Sequence, residues 1–372
     1  MAKLGEIATY VNGFAFKPSD WSNEGLPIIR IQDLTGNSYQ ANRYNGTYHP
    51  KYEVNDGDVL ISWSASLGVY VWKGEKAVLN QHIFKVVFDK SEVDKNFFVH
   101  QVQNILENAT SEAHGATMKH LTKPVFDALP FYLPSVEKQK EIASVLDKVN
   151  ELIALRKEQL AKLDQVVKSR FIELFSGVVH SGNKVFLEDI SDFVTVGIAN
   201  SATHAYADNG IVMLRNQNIK ENHLDENDLI YITPDFAKKY GSKQLVENDI
   251  LVIRTGYPGV ACLVPKKYEG CQTFTTLIVR LKDSTLTHAN YVCHYINSNF
   301  GKDYVEQSKV GVAQQNFGAK ALAKMQIVIP TMELQEQFAA FVKQTDKSKL
   351  TIQASLDKLE LLKKSLMQEY FG

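Results

Sequence analysis

The chain has few cysteines, no long apolar run and almost no net charge. Its three cysteines, Cys262, Cys271 and Cys293, lie in one half of the chain and form no CxxC pair. We therefore expect buried, reduced thiols, which favours a cytoplasmic protein over a disulfide-rich secreted one. No apolar stretch is long enough to span a bilayer, and the first residues lack the apolar segment of a signal peptide. We therefore expect no association with a membrane.

Catalytic motifs are also missing. The sequence contains no Asn-Pro-Pro or Asp-Pro-Pro motif, no GxxxxGK[ST] phosphate loop, no HExxH and no spaced Cys/His quartet. The segment Ser64-Ala-Ser66-Leu-Gly68 lacks the GxSxG pattern of a nucleophile elbow. We therefore predict a chain without catalytic residues and without a metal or cofactor of its own.

Positive charge is not in excess, since the formal net charge is −1. A protein that holds DNA through its phosphates usually carries a basic excess. In neither 1–134 nor 184–330 do Lys and Arg outnumber Asp and Glu. If this chain reads DNA, its positive charge must be local, or a partner must contribute to the grip on phosphates.

The sequence does contain an internal repeat. Gly25–Asp33 resembles Gly210–Asn218, and Asp58-Val-Leu-Ile resembles Asp249-Ile-Leu-Val. The offset between the two copies grows along the chain and then stays constant. The constant stretch runs from Gly115 and Gly311 to Phe175 and Phe371. The first part of each copy therefore tolerates insertions, whereas the second part has a fixed length.

The first part of each copy is predicted to be rich in strands. Short β-branched or aromatic runs alternate with Gly, Asn, Asp and Ser. They span 28–31, 59–61, 69–72 and 83–88 in the first copy and 212–214, 250–253, 261–264 and 276–281 in the second. A short helix is expected near 97–106 and 290–297. Without βαβ alternation, this pattern is typical of an α+β fold.

The second part of each copy is predicted to be one long helix with a heptad seam, whose spacings alternate between four and three. The apolar seam residues are Ile142, Leu146, Val149, Ile153, Leu160, Leu163, Val167 and Leu174, then Phe338, Val342, Ile352, Leu356, Leu359 and Leu366. The other seam positions are Arg156, Arg170, Thr345, Lys349, Lys363 and Tyr370. Polar positions of this kind specify register or partner.

The two long helices are expected to pair with each other. A helix of ~40 residues is about 60 Å long and, with a single apolar stripe, is not stable alone. The alternative is that each helix lies on its own domain, but such a domain is too small to cover it. An antiparallel pair with pseudo-twofold symmetry would place two different domains at opposite ends. Such a protein would read two different half-sites at a spacing set by the helices.

Each long helix begins with a similar pattern. The first is Leu133-Pro134-Ser135-Val136-Glu137-Lys138-Gln139-Lys140-Glu141-Ile142 with Leu146-Asp147, and the second is Ile329-Pro330 with Gln335 and Phe338. Together with the repeated strand motifs, these patterns resemble the specificity subunit of type I restriction-modification systems. The resemblance covers the whole chain in two passes. It implies target-recognition domains at 1–134 and 178–330, and spacer helices at 135–177 and 331–372.

The resemblance also implies a function and partners. Each target-recognition domain would read one half of a bipartite double-stranded DNA site. The helix pair would dock two methyltransferase subunits, which methylate adenine N6 with S-adenosylmethionine. Motor and nuclease subunits would join them for restriction that uses ATP and Mg²⁺. The second helix start, Pro330-Thr-Met-Glu-Leu-Gln335, is a looser match, so the two helices are expected to contribute unequally to docking.

Base reading needs side chains with fixed donors and acceptors, such as Arg for guanine and Asn or Gln for adenine. Four polar groups recur in both copies near predicted strand ends. They are Arg30 and Gln32 with Arg215 and Gln217; Ser62, Trp63 and Ser64 with Arg254, Thr255 and Tyr257; Asn80, Gln81 and His82 with Gln272 and Thr273; and Lys119 and His120 with Gln314, Gln315 and Asn316. Each group has a structural alternative, such as an arginine bound to an acidic neighbour or polar residues of a turn.

Two other functions stay open on the sequence alone. One is the specificity subunit of a related system in which methylation and cleavage lie in a single partner chain. The other is a coiled-coil adaptor whose two β-rich domains bind proteins, which the near-neutral charge favours.

Overall fold

The computed structural model describes residues 1–37, 42–112, 122–199, 202–282, 287–309 and 316–372. These residues divide into two units: unit 1 is Met1–Lys157 with Ala354–Gly372, and unit 2 is Glu158–Gln353. The predicted α+β fold, with two repeated β-rich domains each followed by a long helix, is confirmed. Each unit contains part of both long helices, and the domain boundaries inferred from the sequence stay predictions.

Unit 1 begins with short strands and ends in a long helix. Its strands are β1 (Ala2–Lys3), β2 (Thr9–Asn12), β3 (Leu26–Ile29), β4 (Arg43–Tyr44), β5 (Glu53–Val54), β6 (Val59–Ser62), β7 (Gly68–Val71), β8 (Ala77–Leu79), β9 (Ile83–Val87) and β10 (Pro130–Phe131). Its helices are α1 (Leu4–Ile7), α2 (Ile31–Leu34), α3 (Lys95–Glu112), α4 (Lys123–Ala128), the first part of α5 (Val136–Ser181) and the last part of α10 (Met332–Phe371). The four predicted strands correspond to β3, β6, β7 and β9.

Two four-stranded sheets organise unit 1. The first is antiparallel in the order β2-β9-β6-β7, and the second has the order β4-β3-β8-β5. Strands β3 and β8 of the second sheet are parallel, with Ile28 opposite Val78. The main core lies between the first sheet, α3 and α5, and it includes the fully buried Phe97, Phe126 and Phe131.

Unit 2 repeats this organisation. Its strands are β11 (Lys184–Phe186), β12 (Ser191–Val196), β13 (Tyr206–Ala207), β14 (Ile211–Arg215), β15 (Ile219–Lys220), β16 (His223–Leu224), β17 (Ile230–Ile232), β18 (Ile250–Val252), β19 (Ala261–Leu263), β20 (Gln272–Phe274), β21 (Leu277–Leu281) and β22 (Gln326–Val328). Its helices are α6 (Pro234–Lys239), α7 (Ala289–Asn297), α8 (Asn299–Ser308), α9 (Ala319–Ala323), the rest of α5 and the first part of α10 (Met332–Phe371). The predicted second-copy strands correspond to β14, β18, β19 and β21.

The antiparallel sheet of unit 2 has the same strand order as that of unit 1, and the second sheets share a core of three strands but differ in their fourth strand. The antiparallel sheet has the order β12-β21-β18-β19, and the other sheet has the order β13-β17-β14-β20. Strands β14 and β20 are parallel, with Arg215 opposite Phe274. The repeated aspartates have the same structural role in both units. Asp58 accepts a hydrogen bond from the backbone N–H of Asn55 (2.9 Å), and Asp249 accepts one from that of Val246 (2.9 Å).

The long helices run antiparallel to each other within each unit. In unit 1, Ile142 and Leu146 share a core with Met367, and the Arg156 Nε donates to the Ser355 hydroxyl (3.2 Å). In unit 2, Phe171 and Phe175 pack edge-to-face on Phe338, with ring centres 5.3 and 5.5 Å away. All the predicted seam positions, including the polar ones, are buried or half-buried. The heptad pattern therefore identified the paired face of both helices.

Among the described residues, no helix is long and apolar enough to cross a membrane. The same part of the chain contains no group of three or more His, Cys, Asp or Glu side chains arranged to hold a metal ion. All three cysteines are buried free thiols.

Candidate nucleic-acid interface

The parallel strand pair of unit 1 brings three of the four predicted polar groups together. Arg30 directly follows β3 and Asn80 directly follows β8, and the Asn80 N–H donates to the Ile29 carbonyl (3.1 Å). Two residues further on, the His82 carbonyl accepts a hydrogen bond from the Trp63 N–H (3.2 Å). Residues 30–32, 62–64 and 80–82 thus form one surface, which we call the strand-end cluster of unit 1. The fourth group, Lys119 and His120, lies outside the described residues.

Arg30 is a half-buried member of this cluster. Its guanidinium lies 5.7 Å from the centre of the Trp21 ring, a cation–π distance. Its Nε is 3.6 Å from the Asp33 carboxylate, which also accepts a hydrogen bond from the Arg30 N–H (2.8 Å). The acidic neighbour foreseen as the structural alternative is therefore present. Gln32 lies on the adjoining α2 and is half-buried.

Trp63 is held firmly in the same cluster. Its ring stacks on Phe84 with centres 5.6 Å apart, and it contacts His82 edge-on at 5.0 Å. Its Nε1 donates to the Asn12 side-chain oxygen (3.2 Å). Ser62 and Ser64 are buried, and the Ser62 hydroxyl donates to the Ser64 carbonyl (3.2 Å). The two serines therefore support the loop from inside, while one side of the indole stays exposed.

Unit 2 builds a matching strand-end cluster from residues 215–217, 254–257, 274–275 and 316. The Arg215 N–H donates to the Asn218 side chain (3.0 Å), as the Arg30 N–H does to Asp33 in unit 1. The Arg215 guanidinium donates to the Asp228 carbonyl. Gln217 is exposed. Arg215 therefore occupies the same backbone position as Arg30 but bonds to a main-chain oxygen in place of a carboxylate.

The loop after β18 is tied into this cluster. The Arg254 Nε donates to the Asn316 side-chain oxygen (3.1 Å), and Thr255 forms an antiparallel bridge with Asn316. The Asn216 amide donates to the Thr255 carbonyl (3.3 Å) and hydroxyl (3.2 Å). Tyr257, at the tip of the loop, is 84% exposed. Gln314 and Gln315, which belong to the same predicted group as Asn316, lie outside the described residues.

Glycine at position 256 gives this tip its shape. Gly256 has φ +86°, in the left-handed region that favours glycine. The loop therefore turns sharply and projects the Tyr257 ring away from the domain. A projecting aromatic ring of this kind can stack on a base or contact a thymine methyl group.

One predicted correspondence between residues of the two copies was wrong. Backbone hydrogen bonds place Thr275 opposite Ile198 (2.9 Å) as they place Gln81 opposite Phe14 (2.8 Å). The counterpart of Asn80 and Gln81 is therefore Phe274 and Thr275, and not Gln272 and Thr273. The sequence could not show this, because the link between β20 and β21 in unit 2 is one residue shorter than the link between β8 and β9 in unit 1.

Gln272 and Thr273 instead lie inside β20. The Gln272 amide nitrogen donates to the carbonyls of Ala237 (2.7 Å) and Tyr240 (3.0 Å), and the Thr273 hydroxyl donates to the Leu214 carbonyl (3.1 Å). Both side chains are buried. In this conformation their polar atoms are directed into the unit.

Two aromatic residues of unit 1 were not among the predicted candidates. Phe14 forms a parallel bridge with Asn80 and is 41% exposed, with its ring edge-on to Phe16 (4.9 Å). Trp21, under the Arg30 guanidinium, is 45% exposed. Aromatic residues in strand-rich segments are usually core, and the sequence offers no signal that these two remain at the surface.

Both strand-end clusters contain arginine. Arg30 in unit 1 and Arg215 and Arg254 in unit 2 all belong to the strand-end clusters. Among the described contacts, Arg254 bonds to an amide oxygen and Arg215 to a carbonyl oxygen, so neither bond neutralises the guanidinium charge. A near-neutral chain can therefore still present cations where its polar side chains converge.

The sequence is similar to proteins of one known family. The family model described as "Type I restriction modification DNA specificity domain" matches residues 1–165 and 182–361. The specificity subunit of the type I restriction enzyme EcoBI from Escherichia coli is 24% identical, over 99% of this chain and 84% of that protein.

Two solved structures share the fold. A type I restriction-modification S subunit from M. genitalium superimposes with a TM-score of 0.56 at 12% identity, covering 100% of this chain and 95% of that one. A chain from a study of complex assembly and conformational transition of the type I R-M system gives a TM-score of 0.57 at 14% identity, covering 100% and 96%.

Proposed function

Because this chain belongs to the family of type I restriction-modification specificity subunits, we propose that it reads a bipartite, asymmetric double-stranded DNA site. Each unit would read one half of the site. The observation that carries the proposal is the strand-end cluster, which occurs in both units on the same strand pair but with different side chains. Trp63 in unit 1 and Arg254 in unit 2 lie at the start of the loops after equivalent strands, one residue after β6 and two residues after β18. Such differences would give the two half-sites different base preferences.

The residues proposed to reach DNA are the accessible members of the two clusters. Arg30, Gln32, Trp63, Asn80, Gln81 and His82 would act in unit 1, and Arg215, Gln217, Arg254, Thr255, Tyr257 and Asn316 in unit 2. Lys119, His120, Gln314 and Gln315 stay predictions of the sequence. The buried Ser62, Ser64, Gln272 and Thr273 would shape the clusters from within.

The helices would dock methyltransferase subunits. Their seam is already used in pairing, yet further apolar side chains outside the seam stay exposed, which marks a surface for another protein. They are Leu152, Leu155, Leu361 and Leu362 in unit 1, and Val166, Ile172 and Leu350 in unit 2. In unit 2 this surface also contains a groove of about 660 Å³, lined by Val166, Arg170 and Phe341.

We place the chemistry in the partner subunits. The methyltransferase subunits would use S-adenosylmethionine to methylate adenine N6, and restriction subunits would add the ATP- and Mg²⁺-dependent motor and nuclease. The free thiols fit a complex that works in the cytoplasm. Since the net charge is −1, the lone chain should bind DNA weakly and the partners should supply most of the phosphate contacts.

The test is methylome sequencing of cells that express the chain with its methyltransferase partners. We expect one methylated motif with two halves and a fixed spacer. Arg254→Ala should relax discrimination in one half by about 10- to 100-fold, because a good base contact gives about 1–3 kcal/mol. Trp63→Ala should affect the other half. Methylation without sequence preference in the wild-type complex would contradict the proposal.

A matched control separates base reading from general weakening. Lys267 is an exposed cation of unit 2 that pairs with Glu226 and is not one of the residues of the strand-end cluster. Lys267→Ala should leave both halves of the motif unchanged. If Arg254→Ala weakened methylation of all DNA equally, Arg254 would be a phosphate contact or a structural residue.

The two other functions considered from the sequence can be separated experimentally. The family match across both units argues against a protein-binding adaptor. Replacing residues 1–134 by the equivalent domain of a relative should change half of the methylated motif, and an adaptor would leave methylation untouched. The genes adjacent to this one would show whether methylation and cleavage lie in one partner chain.

A further inference from the structure

The same glutamine contact joins the domain to the long helix in both units. The Gln139 amide nitrogen donates to the Pro134 carbonyl (2.9 Å), and its oxygen accepts from the Asp94 N–H (2.7 Å). In unit 2 the Gln335 amide nitrogen donates to the Pro330 carbonyl (2.9 Å), and its oxygen accepts from the His288 N–H (2.8 Å). The two side chains are 1% and 0% exposed. We call this arrangement the glutamine bracket.

The bracket connects the starts of two helices. Pro134 and Pro330 lie just before α5 and α10, and Asp94 and His288 directly precede α3 and α7. Backbone N–H groups at a helix start have no partner within their helix, so a side-chain oxygen there satisfies a donor that burial would otherwise leave unpaired. A side-chain amide can make both bonds at once, because its oxygen accepts from the N–H while its nitrogen donates to the carbonyl.

The second helix of each bracket is bonded to the large sheet. In unit 1 the Gln103 side chain on α3 accepts from the Val69 N–H of β7 (3.4 Å). In unit 2 the Asn297 side chain on α7 accepts from the Ala261 N–H of β19 (2.9 Å) and donates to its carbonyl (2.8 Å). The bracket fixes the orientation of α3 or α7 relative to the long helix. Because α3 and α7 are bonded to the large sheet, the bracket also orients the sheet that carries the loop of the strand-end cluster.

The surrounding side chains differ between the units while the bracket is kept. Near α3 the Asp147 carboxylate of α5 bonds to His100 and Asn96, whereas near α7 the rings of Phe171 on α5 and Phe338 on α10 contact His294. These contacts therefore vary while the bracket does not. The repeated amide with the same two backbone partners points to a requirement for one orientation.

We propose that Gln139 and Gln335 are positioning residues that fix the orientation of each recognition domain on the long helices, and so restrict the spacing between half-sites that the subunit accepts. This inference rests on the proposed function. It concerns no direct contact with DNA. A complex without the bracket would still read its two half-sites, but it would tolerate a changed spacer.

The test uses the complete complex with its methyltransferase subunits and three DNA duplexes. One carries the native spacer, and the others carry a spacer one base pair shorter or longer. The measured quantity is the ratio of kcat/KM on the native spacer to kcat/KM on the altered spacers. Gln139→Met and Gln335→Met keep the side-chain length but remove both hydrogen bonds. Each should lower this ratio about tenfold, the effect of roughly one buried hydrogen bond.

Three further variants keep the test decisive. Gln344→Met changes an exposed glutamine of α10 and should leave the ratio unchanged. Gln139→Asn and Gln335→Asn keep an amide that is too short to reach both backbone partners, and they decide the question if a methionine variant does not fold. An unchanged ratio with activity lowered equally on all three duplexes would overturn the proposal. A wild-type complex without any spacer preference would instead contradict the proposed function.

Discussion

Unit 1 and unit 2 share the strand order of their antiparallel sheet, but their domains contact the long helices through partly different side chains. In unit 1, six residues after the bracket position Asp94, the His100 ring bonds to the Asp147 carboxylate (2.7 Å). In unit 2, six residues after His288, His294 stacks on Phe171 (6.3 Å) and meets Phe338 edge-on (4.9 Å). The same topological position is therefore a polar pair in one unit and an aromatic core in the other.

This difference shows which parts of the repeat are interchangeable. Backbone pairing and the glutamine bracket have the same geometry in both units, and one aromatic contact is kept, as Phe97 with Phe371 in unit 1 and Tyr291 with Phe175 in unit 2. The side chains around His100 and His294, in contrast, have diverged. Hydrogen-bonded backbone geometry admits few alternatives, while apolar and polar side chains of similar volume can fill one space in several ways. The junctions can therefore differ in stability and in pH dependence without a change of fold.

The chain carries its own probes for the comparison. The tryptophans, Trp21, Trp63 and Trp72, all lie in unit 1, and the cysteines all lie in unit 2. Because all three thiols are buried, their reaction with a thiol reagent reports the opening of unit 2. Tryptophan fluorescence reports unit 1. The predictions below use both signals in one denaturant titration.

The largest effect is expected from Phe338→Ala. Phe338 is fully buried against Phe171 and Phe175, and its removal leaves a cavity in the aromatic junction. We expect the free energy of unfolding of unit 2 to fall by about 3–5 kcal/mol. Thiol reactivity should then appear at lower urea, with the tryptophan transition less affected.

The mirror variant in unit 1 is Ile142→Ala, at the equivalent seam position and 2% exposed. It should move the tryptophan transition and leave thiol reactivity less affected. If both variants shifted both signals equally, the two units would unfold as one, and their junctions could not be compared separately.

The next effect is a dependence on pH that is specific to unit 2. Burial, together with the nearby Lys349 and Lys168, lowers the pKa of His294 to about 3. The unfolded chain binds a proton below pH ~6.5, but folded unit 2 does not, so stability is lost as the pH falls from that value towards 3. Between pH 7.5 and 5.0 we expect unit 2 to lose about 2 kcal/mol.

A variant isolates this contribution from other groups. Burial raises the pKa of Asp346 on α10, which acts in the opposite direction as the pH falls. His294→Phe removes only the histidine term and should flatten the pH dependence of thiol reactivity. If the variant and the wild type lost the same stability between pH 7.5 and 5.0, His294 would not be the group responsible.

The smallest effects are expected at the ion pairs between the helices. Lys157 pairs with Glu360 in unit 1 (2.9 Å), and both side chains are about half exposed. Lys349 in unit 2 pairs with Asp164 (2.6 Å) and Asp346 (3.7 Å) and is 27% exposed. Lys157→Met should change stability by no more than about 0.5 kcal/mol, and Lys349→Met by no more than about 1 kcal/mol.

The order of these two effects is itself a test. Lys349 is less exposed and bonds to two carboxylates, so its removal should be the more costly. A larger effect of Lys157→Met, measured by tryptophan fluorescence in urea, would mean that exposure does not decide the value of these ion pairs.

The sequence alone determined the features that depend on local periodicity. The heptad pattern identified the paired face of both long helices, and every predicted seam position is buried or half-buried. Helix periodicity depends on residues that are close in sequence, so it can be recognised in one helix without the position of the other helix. The repeat likewise identified the strands β3, β6, β14 and β18, because short β-branched runs between turn residues are a local signal too.

Only the tertiary structure decided which loops meet and in what register. Strand pairing joined Asn80 to Ile29 and showed that Phe274, not Gln272, is its counterpart. A one-residue difference between the copies moves a side chain to the other face of a strand, and no local pattern records it. The glutamine bracket was hidden for the same reason: Gln139 and Asp94 are far apart in sequence, and folding alone brings their hydrogen-bonding atoms together.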